Sequence, residues 1–137
     1  GEDGLPSDHV GGMRLNVVFA TALRRLLARK ARGETLEPPS EVQGVRLGPV
    51  ALLGGPFETF QAIKNDVCDR AKSPIPLVTS FVNDSIGYAV DETCAERGGY
   101  AADNVPLMCG ELPFGSIHRE LVEELLTLDG ELAGETV

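Results

Sequence analysis

The sequence predicts an α+β fold: a mixed β-sheet of about four to five short strands, with three helices packed mainly on one face. Three observations carry that expectation. Apolar residues recur every three or four positions in three separate stretches, the signature of amphipathic helices. Short β-branched runs bounded by Gly and Pro stand between them, as strands do. No internal repeat is present, and the order helix, strands, helix, strands, helix belongs to α+β domains.

Residues 1 to 12, punctuated by Gly and Pro, are expected to form a flexible lead-in. The first helix is predicted over 13–32, with Leu15, Val18, Phe19, Ala22, Leu23, Leu26 and Leu27 as a continuous stripe that should be buried. Arg24, Arg25, Arg29, Lys30 and Arg32 crowd its C-terminal half, where cations complement the helix dipole; contact with an anionic lipid is the functional alternative. The linker 33–41, with Pro38-Pro39, stops the helix. Val42 to Leu47 and, after Gly48-Pro49, Val50 to Leu53 read as a hairpin or two successive strands.

A second helix is expected from Phe57 to Lys72, with Glu58 in its first turn, where acidic groups complement the dipole. Leu77 to Val82 has the length and β-branched content of a strand covered on both faces, and Ile86 to Val90 continues as a second extended piece. Asp91 should cap a short helix to Arg97. Gly98 and Gly99 allow positive φ and so can turn the chain sharply into Tyr100. Val105 to Cys109 reads as one more strand, confined to a sheet edge or a strand start because Pro106 cannot donate to a ladder. The last helix is predicted from Ser116 to Leu128, striped by Ile117, Leu121, Val122, Leu125 and Leu128, with an acidic, frayed tail over 129–137.

The 137 residues suit one domain or lobe, able to bury about 70% of the unfolded surface. A net charge of −9 argues against a nucleic-acid partner, which needs a basic face. No run approaches the roughly 20 apolar residues of a spanning helix, and the first residues lack the basic and apolar regions of a signal peptide. A soluble chain is therefore expected. Cys68, Cys94 and Cys109 are odd in number and lack CxxC spacing, so free thiols and a cytoplasmic setting are expected. His9 and His118 show no metal-ligand spacing and read as solvated or capping residues. Nothing in the sequence brings either to Glu58.

The only tyrosines, Tyr88 and Tyr100, stand twelve residues apart, each beside glycine. A phenol at a strand end can ligate a metal or donate a hydrogen bond to a developing oxyanion, although half-buried packing is the commoner role of a tyrosine. The stretch Val50-Ala51-Leu52-Leu53, Gly54-Gly55-Pro56-Phe57 and Asn83-Asp84-Ser85-Ile86-Gly87-Tyr88, continuing to Tyr100, resembles the C-terminal part of the catalytic domain of neutral/alkaline (non-lysosomal) ceramidases and their bacterial relatives. The resemblance runs from about Val42 to Leu128 and is sharpest from Leu53 to Tyr100. It implies a zinc-dependent hydrolase of N-acyl amides. Tyr88 matches a zinc-ligating tyrosine of that family, and Tyr100 one that helps polarise the reacting carbonyl. Gly55 stands where the family has a zinc-ligating Glu, and Ser85 stands where it has another Tyr. The family's histidine ligands and catalytic Ser come from N-terminal regions with no counterpart here. Glu58, three residues beyond Gly55 and so one turn along the same face of the predicted helix, could reach toward the place of the missing ligand.

Two functions follow. One is the C-terminal lobe of a ceramidase-like amide hydrolase, with a degenerate zinc site and inactive in isolation. The other is a stand-alone, non-catalytic assembly or small-ligand-binding module of the same ancestry. The expected partners are a second copy or a missing N-terminal lobe, and a lipid-like or N-acyl amide ligand.

Overall fold

Residues 10–37 and 39–134 are described by the structure, a computed structural model. The expected lead-in over residues 1–9, with His9 in it, lies outside the described residues, as do Pro38 and residues 135–137. In chain order come α1 (Val10–Ala31), β1 (Gln43–Leu47), β2 (Val50–Gly54), β3 (Glu58–Thr59), α2 (Gln61–Arg70), β4 (Ile75–Thr79), β5 (Tyr88–Ala89), α3 (Glu92–Arg97), α4 (Val105–Cys109) and α5 (Ile117–Gly134). A π-helical turn, Tyr100–Asn104, leads into α4. The fold is α+β.

Gly48, at φ 60°, makes the tight turn that joins β1 and β2 into an antiparallel hairpin. The chain then crosses through α2 and returns as β4, parallel to β2, giving a sheet of order β1-β2-β4. β3 and β5 extend the β2 and β4 paths into a separate parallel pair. Gly54 permits the close approach of β4: a Cβ there would lie 2.5 Å from Val82 Cγ2 and 2.7 Å from the Thr79 carbonyl oxygen.

Alternation along β2 sends Ala51 and Leu53 into the core, where α2 contributes Ile63 and Val67 and α5 contributes Leu121, Val122 and Leu125. The predicted stripe of the last helix is thus the one that closes the sheet. The opposite sheet face is open. Register sets Val45, Leu52 and Leu77 in one row and Leu47, Val50 and Ile75 in the next, with Val45, Leu77 and Ile75 each 47% exposed and Leu47 64%.

Several expectations are corrected. β4 lies at the sheet edge, where Pro76 is tolerated, and is covered on one face rather than two. Val105–Cys109 is helical, because Pro106 sits in the first turn, where its missing N–H is no loss. The last helix runs on to Gly134. Asp129, expected in a frayed tail, is fully buried and accepts hydrogen bonds from the backbone N–H groups of Lys72 (2.6 Å) and Ser73 (3.2 Å). Burial pushes the Asp129 carboxyl up, but the Ser73 hydroxyl, these two N–H groups and the Arg46 charge outweigh it and hold the group below its ordinary range. Among the described residues the helices thus number five: the three long ones expected, the short α3 also anticipated, and α4 in place of the edge strand.

α1 begins three residues earlier than predicted. Of its stripe, Ala22 and Leu26 are buried, whereas Leu15, Val18, Leu23 and Leu27 are 40–66% exposed. The helix packs mainly on α4, which at five residues is too short to cover the whole stripe. No helix among the described residues is long and apolar enough to cross a membrane.

Candidate functional site

β3 exists because its backbone pairs with β5. The Glu58 N–H donates to Gly87 O at 2.9 Å and the Phe60 N–H to Ala89 O at 3.0 Å. Those bonds take Glu58 out of the helix in which the sequence placed it, so α2 starts only at Gln61, after an extended Phe60. The argument that Glu58 lies one helical turn from Gly55 therefore fails. The structure supplies a different juxtaposition.

Glu58 and Tyr88 are register partners in the parallel pair, so their side chains leave the same face side by side. Phe60, two residues on, meets the Tyr88 ring edge to face, with centroids 5.8 Å apart. The Glu58 carboxylate is the main cause that raises the Tyr88 pKa above the ordinary phenol value, followed by burial, by Tyr100 and by hydrogen bonding to Glu58. Tyr88 is consequently a neutral donor at ordinary pH.

Tyr100 is positioned by a separate turn. Asp91 caps α3 by accepting the Cys94 N–H at 2.7 Å, as predicted. Gly98 and Gly99, at φ 69° and 105°, then reverse the chain. Asp103 Oδ2 accepts the Gly99 N–H at 2.6 Å and pins the turn. Tyr100 opens the π-helical turn and is 63% exposed. The structure thus sets Glu58 beside Tyr88 as register partners, with Tyr100 near enough for its charge to contribute to the raised Tyr88 pKa. It adds two residues that the sequence reading missed, the Phe60 ring and the Asp103 latch. An acidic residue four positions after a Gly-Gly pair was the available signal for the latch.

The strand end before this site is also unusual. Phe81 and Asn83 adopt φ 58° and 62°, and for a bulky residue such as Phe this conformation is strained. Backbone bonds hold it, with the Phe81, Val82 and Ile86 N–H groups donating to Phe57, Gly55 and Pro56 oxygens.

Gly55 does not face this cluster. The atoms nearest a Cβ there belong to Leu121, Phe57 and Val42, at 3.5–3.6 Å, and all are apolar. His118 is held elsewhere: Nδ1 accepts the Glu92 N–H at 3.3 Å, and Nε2 meets Asp66 at 3.1 Å, which ties α5 to α3 and α2. It is a capping histidine, as the sequence suggested, and it is engaged through both nitrogens. Among the described residues no three His, Cys, Asp or Glu side chains converge. Cys68, Cys94 and Cys109 are free, with Cys68 and Cys109 exposed.

One carboxylate and two phenols do not fit a zinc centre on their own. Zinc takes histidine, thiolate or carboxylate donors in tetrahedral sets, and of these three residues only Glu58 supplies such a donor. A cavity of about 550 Å³ lies apart, walled by Leu36, Phe57, Phe114, Ser116 and Glu120. Glu58, Tyr88 and Tyr100 are not among its lining residues.

No family model, curated protein or solved structure matches the chain.

Proposed function

We propose that this chain is the C-terminal lobe of a ceramidase-like amide hydrolase, carrying a degenerate metal site and inactive in isolation. The observation that carries the reading is the pairing of Tyr88 with Glu58 on one β3–β5 rung, with Tyr100, the second position the family resemblance names, close enough to act electrostatically on Tyr88. Neutral phenols are suited to donate hydrogen bonds to an amide carbonyl as negative charge develops on its oxygen. Gly55 supplies no ligand and points into apolar packing, so catalysis would require groups from outside this chain.

The open sheet face supports a second reading, a non-catalytic assembly module, because two rows of exposed aliphatic side chains suit a partner surface. An immunoblot of the native polypeptide separates the two. A band much larger than 14.6 kDa is the expected result for a lobe, and a band at 14.6 kDa would favour the module.

A further inference from the structure

α1 carries cations that an acidic chain leaves unpaired. The chain has a net charge of −9, yet Val10–Ala31 contains Arg14, Arg24, Arg25, Arg29 and Lys30 and no acidic residue. Helix-dipole complementarity accounts for Arg29 and Lys30 in the last turn. Arg29 also pairs with Glu111 at 3.5 Å and donates to Thr35 O at 2.9 Å. Among the described residues, Arg14, Arg24, Arg25 and Lys30 have no ion-pair partner despite 21 acidic residues in the chain.

The apolar exposure falls between these charges. Ala22 and Leu26 mark the line buried on the body, and Leu23 (45% exposed) and Leu27 (66%) stand beside it, one turn apart. At 3.6 residues per turn, Lys30 flanks Leu23 and Leu27 on one side. Continuing around the helix past Ala20 and Ala31 come Arg24 and Val17, then Arg14 and Arg25. A leucine flank bracketed by unpaired Lys and Arg is the pattern of a helix that lies in a membrane interface, its cations reaching anionic headgroups.

We propose that α1 binds the surface of an anionic bilayer, seating the Leu23–Leu27 flank at the acyl boundary with Lys30 and Arg24, which bracket it, among the headgroups, while Arg14 and Arg25 lie on the opposite side of the helix. The argument rests on charge and exposure and is independent of the hydrolase reading. Two attractions act together, apolar burial and roughly fivefold in affinity for each cation near the surface.

The test is co-sedimentation of the full chain with phosphatidylcholine vesicles containing phosphatidylserine and with vesicles of phosphatidylcholine alone. Binding to the anionic vesicles only is expected, weakening as salt rises. Replacing both Arg24 and Lys30 by Gln should reduce affinity about 25-fold, and Leu23→Ser with Leu27→Ser should abolish it. Circular dichroism shows whether these exposed substitutions leave the fold intact. Absence of binding, or equal binding to both vesicle types, overturns the proposal. So does a dimer that ignores vesicles and is dissociated by the Leu23 and Leu27 changes, which would assign the flank to a second copy.

Discussion

Glu58 and Tyr88 occupy the same rung of the parallel β3–β5 pair, and the carboxylate holds the phenol in its protonated form. A residue two positions past the Gly54-Gly55-Pro56 turn and a tyrosine thirty residues further on thus become one unit through backbone pairing. Replacing Glu58 with Gln removes the leading cause of the raised Tyr88 pKa. Spectrophotometric titration near 295 nm should then show one of the two tyrosines ionising at lower pH than in the parent chain. The linkage has a definite sign. Because the folded pKa is raised, the associated stability is complete below the unfolded phenol value of about 10 and is lost as pH rises through the folded one.

Asp129 gives the opposite dependence. Its folded pKa is depressed, so its contribution is complete above an unfolded value of about 3.9 and disappears as pH falls through the lower folded value. Asp129→Asn weakens two charge-assisted bonds to Lys72 and Ser73 and should cost roughly 1.5–3 kcal/mol at pH 7 in urea denaturation. The variant should also lose less stability than the parent between pH 5 and pH 2.

The two adjacent glycines should respond differently to alanine. Gly54→Ala drives a methyl against Val82 and the Thr79 carbonyl, and a cost of about 1–3 kcal/mol is expected. Gly55→Ala meets only ordinary contacts at 3.5 Å or more, and lower unfolded-state entropy should raise stability by about 0.4–1 kcal/mol. Thermal melts of the two variants check the pair directly.

These contrasts mark how far the sequence could be read. The Gly48-Pro49 hairpin, the Asp91 cap, the Gly98-Gly99 reversal and the α5 stripe all follow from local chemistry, and each was legible. What failed depended on long-range pairing. Glu58 and Phe60 looked helical until β5 claimed their N–H groups. Val105–Cys109 looked extended because Pro106 excludes a central strand and a helix interior alike, while remaining at home in a helix's first turn. Asp129 looked like part of a polar tail because nothing local announces that Lys72 and Ser73, more than fifty residues away, need an acceptor. Within the candidate site the residue types were legible, and the side-by-side placement of Glu58 and Tyr88 came from the β3–β5 register.

The most direct measurement is the zinc content of the purified chain and of Tyr88→Phe, by equilibrium dialysis against micromolar zinc followed by elemental analysis. With Gly55 empty-handed and no three His, Cys, Asp or Glu side chains converging among the described residues, the account predicts well under one zinc per chain, unchanged by the substitution. One tightly bound zinc per chain, lost in Tyr88→Phe, would contradict it.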